Sequence, residues 1–194
     1  MGKMIAFACL CLPLGLLVYD ILAEIQQPGS ALGADPGEAV VLHLGDWTLR
    51  VLLLTLCVST LRRRAGWSWL ARWRRMVGLF AFSYLCLHLA AYVGFLAGFD
   101  ARAVLDDLTE RPYIMVGMAA FGMLLPLAWT STRGWQRRLG TAWVRLHRLI
   151  YPAAVLAIAH LAWLTKDGYA EVAVYSAVLG LLLAERAWSR RSAA

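Results

Sequence analysis

Long apolar runs recur along the chain and are separated by short stretches that carry most of the charge. A helix that crosses a membrane needs about 20 apolar residues, and each run meets or approaches that length. The pattern therefore predicts an all-α transmembrane bundle of six helices. The predicted spans are residues 4–23, 40–60, 76–98, 114–130, 149–164 and 172–187.

Composition supports a membrane protein with a single domain. The chain has 194 residues, of which 61% are hydrophobic, whereas soluble domains are usually about half apolar. Six spans leave no room for a separate soluble domain, so residues 1–194 are expected to form one transmembrane domain. The first run lacks a clear cleavage site and is expected to be retained as a helix. No internal repeat stands out.

The basic residues predict the orientation of the bundle. Fifteen of the 19 Lys and Arg residues lie at the two termini and in the second and fourth loops. Cytoplasmic loops of membrane proteins are enriched in these residues, so both termini are predicted to be cytoplasmic. Only Arg102, Arg111 and Lys166 fall in outer loops, and Arg50 lies inside the second span. The net charge of +7 thus reflects topology and does not indicate nucleic-acid binding.

Two histidines lie at matched depth inside predicted spans. His88 is 12 residues into the third span, roughly 18 Å deep at the helical rise. His160 lies 13 residues beyond His147 at the inner boundary, roughly 19 Å deep by the same rise. Two imidazoles at one level on two helices can ligate a haem iron from opposite faces, and bundle cores often hold such cofactors. The alternative is an interhelical hydrogen bond made by each histidine.

His147 lies at the inner boundary among arginines. It has no histidine partner at its own depth, and it does not share a strict helix face with His160. Its role is open between an ordinary interfacial residue, a ligand to a second haem and a contact to a flavin or quinone. Arg75, in the cluster with Arg74, has the corresponding alternatives of phosphate binding or simple membrane orientation.

A polar group lies at the outer end of the second span. His43, Asp46 and Arg50 are spaced by three and four residues, which places them on one helix face. Arg50 lies roughly 15 Å into the span by the helical rise and needs a partner there. Asp46 is the simple partner, and a haem propionate or a quinone is the alternative.

Several stretches resemble the MsrQ (YedZ) family, a branch of the ferric-reductase-like transmembrane domains. The resemblance covers nearly the whole chain, and the order and spacing of its motifs are quite specific. It implies that His88 and His160 are the haem histidines and that His147 is the third family histidine. The stretches are residues 45–50, 74–82, 87–89, 111–114 and 143–151.

The resemblance also implies a function in the bacterial inner membrane. Members of this family carry one or two b-type haems, with FMN as a further cofactor, and pass electrons to MsrP, a periplasmic molybdopterin enzyme that repairs oxidised methionine. The implied electron donor is the quinone pool or a cytosolic flavin reductase. The catalytic subunit is then a separate chain.

Two other function classes stay open from the sequence. One is a stand-alone ferric or quinone reductase of the same fold, although no nucleotide-binding fingerprint is present. The other is a haem-free six-span transporter that uses intramembrane polar residues as a pathway. The four cysteines lie in apolar runs without a CxxC pair, so they are expected to be packing residues. They are Cys9, Cys11, Cys57 and Cys86.

Overall fold

The computed structural model describes residues 2–165 and 168–191, and every regular element within these ranges is helical. Lys166, predicted to lie in an outer loop, is outside the described residues. Nine α-helices lie within the described residues: α1 Gly2–Gln26, α2 Pro36–Arg64, α3 Ala71–Ala91, α4 Ala101–Glu110, α5 Pro112–Trp129, α6 Arg133–Leu139, α7 Thr141–Leu146, α8 Ile150–Leu164 and α9 Ala170–Arg191.

Five helical segments within the described residues are long and apolar enough to cross a membrane. The prediction of a multi-pass helical membrane protein is therefore confirmed. The sixth predicted span corresponds to α9, which has 22 residues but carries charges at both ends and is not among the five. The five segments are Gly2–Gln26, Pro36–Arg64, Trp73–Leu96, Pro112–Trp129 and Thr141–Leu164.

Two helical hairpins form the centre of the bundle. Helix α2 packs along α3, and α5 packs along α8. Phe82 on α3 and Phe121 on α5 stack with ring centres 6.1 Å apart, which joins the two hairpins. The start of α2 is fixed by Asp35, whose side chain accepts a hydrogen bond from the backbone N–H of Glu38. Such capping satisfies one of the backbone donors left free at a helix start.

Helices α1 and α9 flank this centre. Tyr84 on α3 is fully buried and donates a hydrogen bond to the carbonyl of Leu10 on α1, at 2.8 Å. At the inner end, Glu185 on α9 pairs with Arg63 at 2.6 Å and with Arg64 at 3.1 Å, both in the last turn of α2. These contacts hold the peripheral helices against the paired hairpins.

The connection between α3 and α5, which the predicted spans leave as a loop over residues 99–113, contains a short helix. A π-helical turn, Tyr92–Leu96, extends α3 beyond His88. The chain then reverses through Gly98 and Phe99, both with φ of 60°, and forms α4. Asp100 caps α4 by accepting from the N–H of Arg102 at 2.8 Å. Helix α4 has one apolar and one charged face, a pattern typical of a helix at a membrane surface.

Candidate functional site

His88 on α3 and His160 on α8 face each other across the contact between the two hairpins. Their ring centres lie 6.4 Å apart, and the ring planes are nearly perpendicular at 81°. Both side chains are only partly exposed. The structure therefore brings together the two histidines that the sequence placed at one depth.

Each of the two rings is fixed by a backbone carbonyl of the partner helix in its own hairpin. His88 Nδ1 donates to the carbonyl of Val41 on α2 at 2.9 Å, and His160 Nδ1 donates to the carbonyl of Tyr113 on α5 at 2.6 Å. A carbonyl oxygen only accepts, so Nδ1 carries the proton in both rings. Each Nε2 then keeps a free lone pair, which is the arrangement found in metal-bound histidines.

The separation of the rings fits a single metal ion between them. Metal–nitrogen bonds of about 2 Å, with about 1.2 Å more from each nitrogen to its ring centre, would set the ring centres roughly 6.4 Å apart. No group of three or more His, Cys, Asp or Glu side chains in the described part of the chain could hold a metal ion. The pair His88 and His160 is the candidate metal site.

The two hairpins present their histidines in the same way. They form a structural repeat that the sequence pattern did not reveal. In each hairpin the histidine lies 47 residues after its carbonyl partner. Each ring also packs against a glycine, Gly45 for His88 and Gly117 for His160. Carbonyl, glycine and histidine of the second hairpin each follow their counterparts by 72 residues. The repeat is hidden in the sequence because few other positions match.

An open cleft with a cavity volume of about 160 Å³, here called the inner cleft, lies between the two hairpins on the arginine-rich side of this pair. Arg74, Arg75 and His147 line it together with Trp143. His147 stacks on Trp143 with ring centres 3.8 Å apart and donates from Nδ1 to its carbonyl at 3.1 Å. The 72-residue shift relates Arg75 to His147, so the repeat places these two residues at equivalent positions.

Arg50 on α2 contacts several polar groups at once. Its Nε donates to the hydroxyl of Tyr175 at 2.8 Å, and its Nη2 lies 3.2 Å from Asp46 and 3.5 Å from Glu171. The simple pairing with Asp46 is thus present, and α9 adds two partners that the sequence did not reveal. His43 turns instead to α1, where its Nε2 lies 3.2 Å from the carbonyl of Pro13.

Comparison with known proteins identifies the family of the chain. The family described as "Ferric reductase like transmembrane component" matches residues 44–158. A relative from Xanthomonas campestris pv. campestris (strain 8004), "Protein-methionine-sulfoxide reductase heme-binding subunit MsrQ", is 45% identical over 99% of this chain and 88% of its own length. A relative with the same name from Rhodospirillum rubrum is 46% identical over 96% of this chain and 87% of its own length. No solved structure matches the chain.

The fold and the facing histidines define a multi-pass helical membrane protein with a two-histidine site between two repeated hairpins. The family match runs from α2 into α8, and the relatives align along almost the entire chain. The chain belongs to the ferric-reductase-like transmembrane family and, within it, to the MsrQ family.

Proposed function

We propose that this chain is a b-type haem electron-transfer subunit in which His88 and His160 are the two axial ligands. The observation that carries the proposal is the facing pair of imidazoles, 6.4 Å apart between ring centres, with each Nδ1 held by a carbonyl. The relatives are named as heme-binding subunits, which supports the same assignment.

The two histidines would give the site its chemical character. A haem bound there would supply a one-electron carrier. If both His88 and His160 held the iron, they would leave no place for oxygen to bind, which would favour electron transfer. The carbonyls of Val41 and Tyr113 make the imidazoles more basic and fix their orientation. The partial burial of both rings limits the access of water to the site.

The inner cleft is proposed to bind a second redox group, for which a second haem, FMN and a quinone are the candidates. His147 would be its histidine contact, and Arg75 would neutralise an anionic part of the group. The equivalence of these two residues in the 72-residue repeat supports a pair acting on one ligand. The aromatic surface of Trp143 is suited to a flat ring system.

The outer cluster of Arg50, Asp46 and His43 is proposed to contact a haem propionate or a quinone at the outer boundary. Arg50 is the cation suited to a carboxylate. Its contacts with Asp46, Tyr175 and Glu171 hold the guanidinium at a fixed place on α2. His43, which contacts α1, would act at the rim of the cluster.

The proposed topology has six spans in one domain of residues 1–194, in the bacterial inner membrane, with both termini in the cytoplasm. The distribution of Lys and Arg supports this orientation. The pairing of Glu185 with Arg63 and Arg64 supports it as well, because it brings the end of α9 to the arginine-rich end of α2. Helix α9 would then be the sixth span.

The proposed partners stand on the two sides of the membrane. Electrons would enter from the quinone pool or a cytosolic flavin reductase and leave to MsrP, a periplasmic molybdopterin enzyme that reduces methionine sulfoxide in oxidised proteins. The name of the relatives, a subunit of a protein-methionine-sulfoxide reductase, supports a separate catalytic chain.

A difference spectrum tests the haem proposal. The purified protein, expressed with sufficient haem, is expected to show a b-type α band after dithionite reduction. His88→Ala and His160→Ala should each lose this band, while Leu87→Ala, a neighbouring change at an exposed side chain, should keep it. Full haem content in both histidine variants would contradict the assignment. A colourless wild-type protein would instead favour a haem-free transporter.

A reconstitution assay tests the partner. The haem-containing protein in liposomes, with reduced quinone, is expected to support methionine sulfoxide reduction only when MsrP is added. Equally fast oxidation of the reduced quinone without MsrP, with a ferric chelate as the electron acceptor, would favour the stand-alone reductase.

A further inference from the structure

Two glycines lie directly against the two histidine rings. A Cβ atom at Gly45 would lie 3.0 Å from Cε1 and 3.1 Å from Nδ1 of His88. A Cβ atom at Gly117 would lie 3.0 Å from Nδ1 and 3.1 Å from Cε1 of His160. These distances are shorter than the ordinary contact distance of about 3.5–4.0 Å between carbon atoms. A side chain at either position would therefore displace the ring.

The place of each glycine in its helix explains the contact. In an α-helix the carbonyl of residue 41 accepts the N–H of residue 45, and the side chain of residue 45 leans back towards residue 41. A side chain there would cover the carbonyl that His88 uses as its hydrogen-bond partner. Gly45 leaves the carbonyl of Val41 open to a second donor, and Gly117 does the same for Tyr113.

Three other glycines in the long helices have open space at this point. A Cβ atom at Gly15, Gly122 or Gly180 would meet nothing within 4 Å. Gly122 is on α5, the same helix as Gly117, and lies just over one turn away. Cβ atoms at Gly2 and Gly37 would also make close contacts, at 3.1 Å from Trp73 and 3.0 Å from Phe95. Among the described residues, the glycines that lie this close to a histidine ring are Gly45 and Gly117.

We infer that Gly45 and Gly117 are positioning residues that set the orientation of the two axial imidazoles by keeping the carbonyls of Val41 and Tyr113 accessible. This inference rests on the proposed haem function. Each glycine acts on one ring, so the two together hold the ring planes nearly perpendicular, at 81°. Perpendicular axial ligands give low-spin ferric haem a highly anisotropic electron paramagnetic resonance signal.

The test compares Gly45→Ala and Gly117→Ala with the control Gly122→Ala in purified full-length protein. Alanine is a better helix former than glycine, so the helices themselves are not weakened. Loss of an outer hydrogen-bonding partner typically lowers metal affinity about 10–100-fold. Each site variant is expected to bind haem at least about 10-fold more weakly and to show a less anisotropic ferric signal. The control should match the wild type in haem affinity and in the ferric signal.

The outcomes separate the inference from the haem proposal. Wild-type haem affinity and an unchanged signal in both site variants would overturn the role of the glycines, while the haem assignment would stand. A wild-type protein without haem would overturn the haem proposal itself. If a site variant folds poorly, the signal is read from the fraction that retains haem. An unchanged signal in that fraction also overturns the inference, and a changed one supports it.

Discussion

The hydroxyl of Tyr92 donates a hydrogen bond to the carboxylate of Asp107 at 2.6 Å and so joins the π-helical turn after α3 to the outer helix α4. Asp107 also pairs with Arg111 at 2.9 Å, and Arg111 donates to the hydroxyl of Tyr113 at 3.3 Å. The hydrogen bond to Tyr113 and the charge of Asp107 raise the pKa of Arg111, so this residue stays charged. The network ends at Tyr113, whose backbone carbonyl accepts the hydrogen bond from His160.

Replacing Asp107 by Asn should loosen α4 without removing the histidine pair. The change removes the charge that holds Tyr92 and Arg111, and a hydrogen bond to a charged group contributes about 1.5–3 kcal/mol. Amide hydrogen exchange across residues 101–110 is expected to increase. Asp106→Asn, one residue away on α4, is the matched control. Unchanged exchange in the Asp107 variant would show that other contacts hold α4.

Replacing Tyr84 by Phe should weaken the attachment of α1. The change removes the buried hydrogen bond to Leu10 while it keeps the ring, and a typical hydrogen bond contributes about 0.5–1.5 kcal/mol. The thermal midpoint in detergent is expected to fall. Tyr19→Phe, at a side chain that is 69% exposed, should leave it unchanged. An equal effect of both changes would argue against this role of the buried hydroxyl.

Replacing Glu185 by Gln should release the inner end of α9. Besides Arg63 and Arg64, Glu185 accepts hydrogen bonds from Ser189 at 2.7 Å and from Thr60 at 3.3 Å. The neutral amide cannot pair with two guanidinium groups, so a protease cleaving within the last turns of α9 should act faster. Glu110→Gln, at an exposed residue on α4, should not change this rate. Protection equal to the wild type would show that packing alone fixes α9.

Thiol labelling of single-cysteine variants in a cysteine-free background tests the topology. Cysteines at Arg137 and Trp188, on the basic side, should react with an impermeant reagent only in inverted vesicles. A cysteine at Asp106 should react in spheroplasts. Labelling of position 188 from the outside would contradict both the sixth span and the cytoplasmic C-terminus.

The sequence allowed the prediction of five helices that can cross a membrane and of the common level at which His88 and His160 meet, because both follow from apolar length and helical rise. The sixth span stays a prediction. It did not reveal Gly45, Gly117 or the carbonyls behind them, since these depend on which helix faces meet. The partners of Arg50 on α9 were missed for the same reason, because Tyr175 lies 125 residues away. Helix α4 was read as a loop because its short, charged sequence resembles one.

A redox titration can distinguish a cofactor in the inner cleft from one held by His88 and His160. Redox titration of the wild type should show two components if the cleft holds a second haem, and His147→Ala should remove one of them. Arg75→Gln removes a positive charge and should lower the reduction potential of a group that stays bound in the cleft. The decrease should be smaller than the lost charge alone would cause if Arg74, which lines the same cleft, compensates. Arg137→Gln, a change in a neighbouring basic cluster outside the cleft lining, is the control.

The outcomes of the titration distinguish the two sites. If the His147 variant also lost the component that depends on His88, the two sites would not be separate. One component in the wild type together with bound FMN or quinone would assign the cleft to that cofactor.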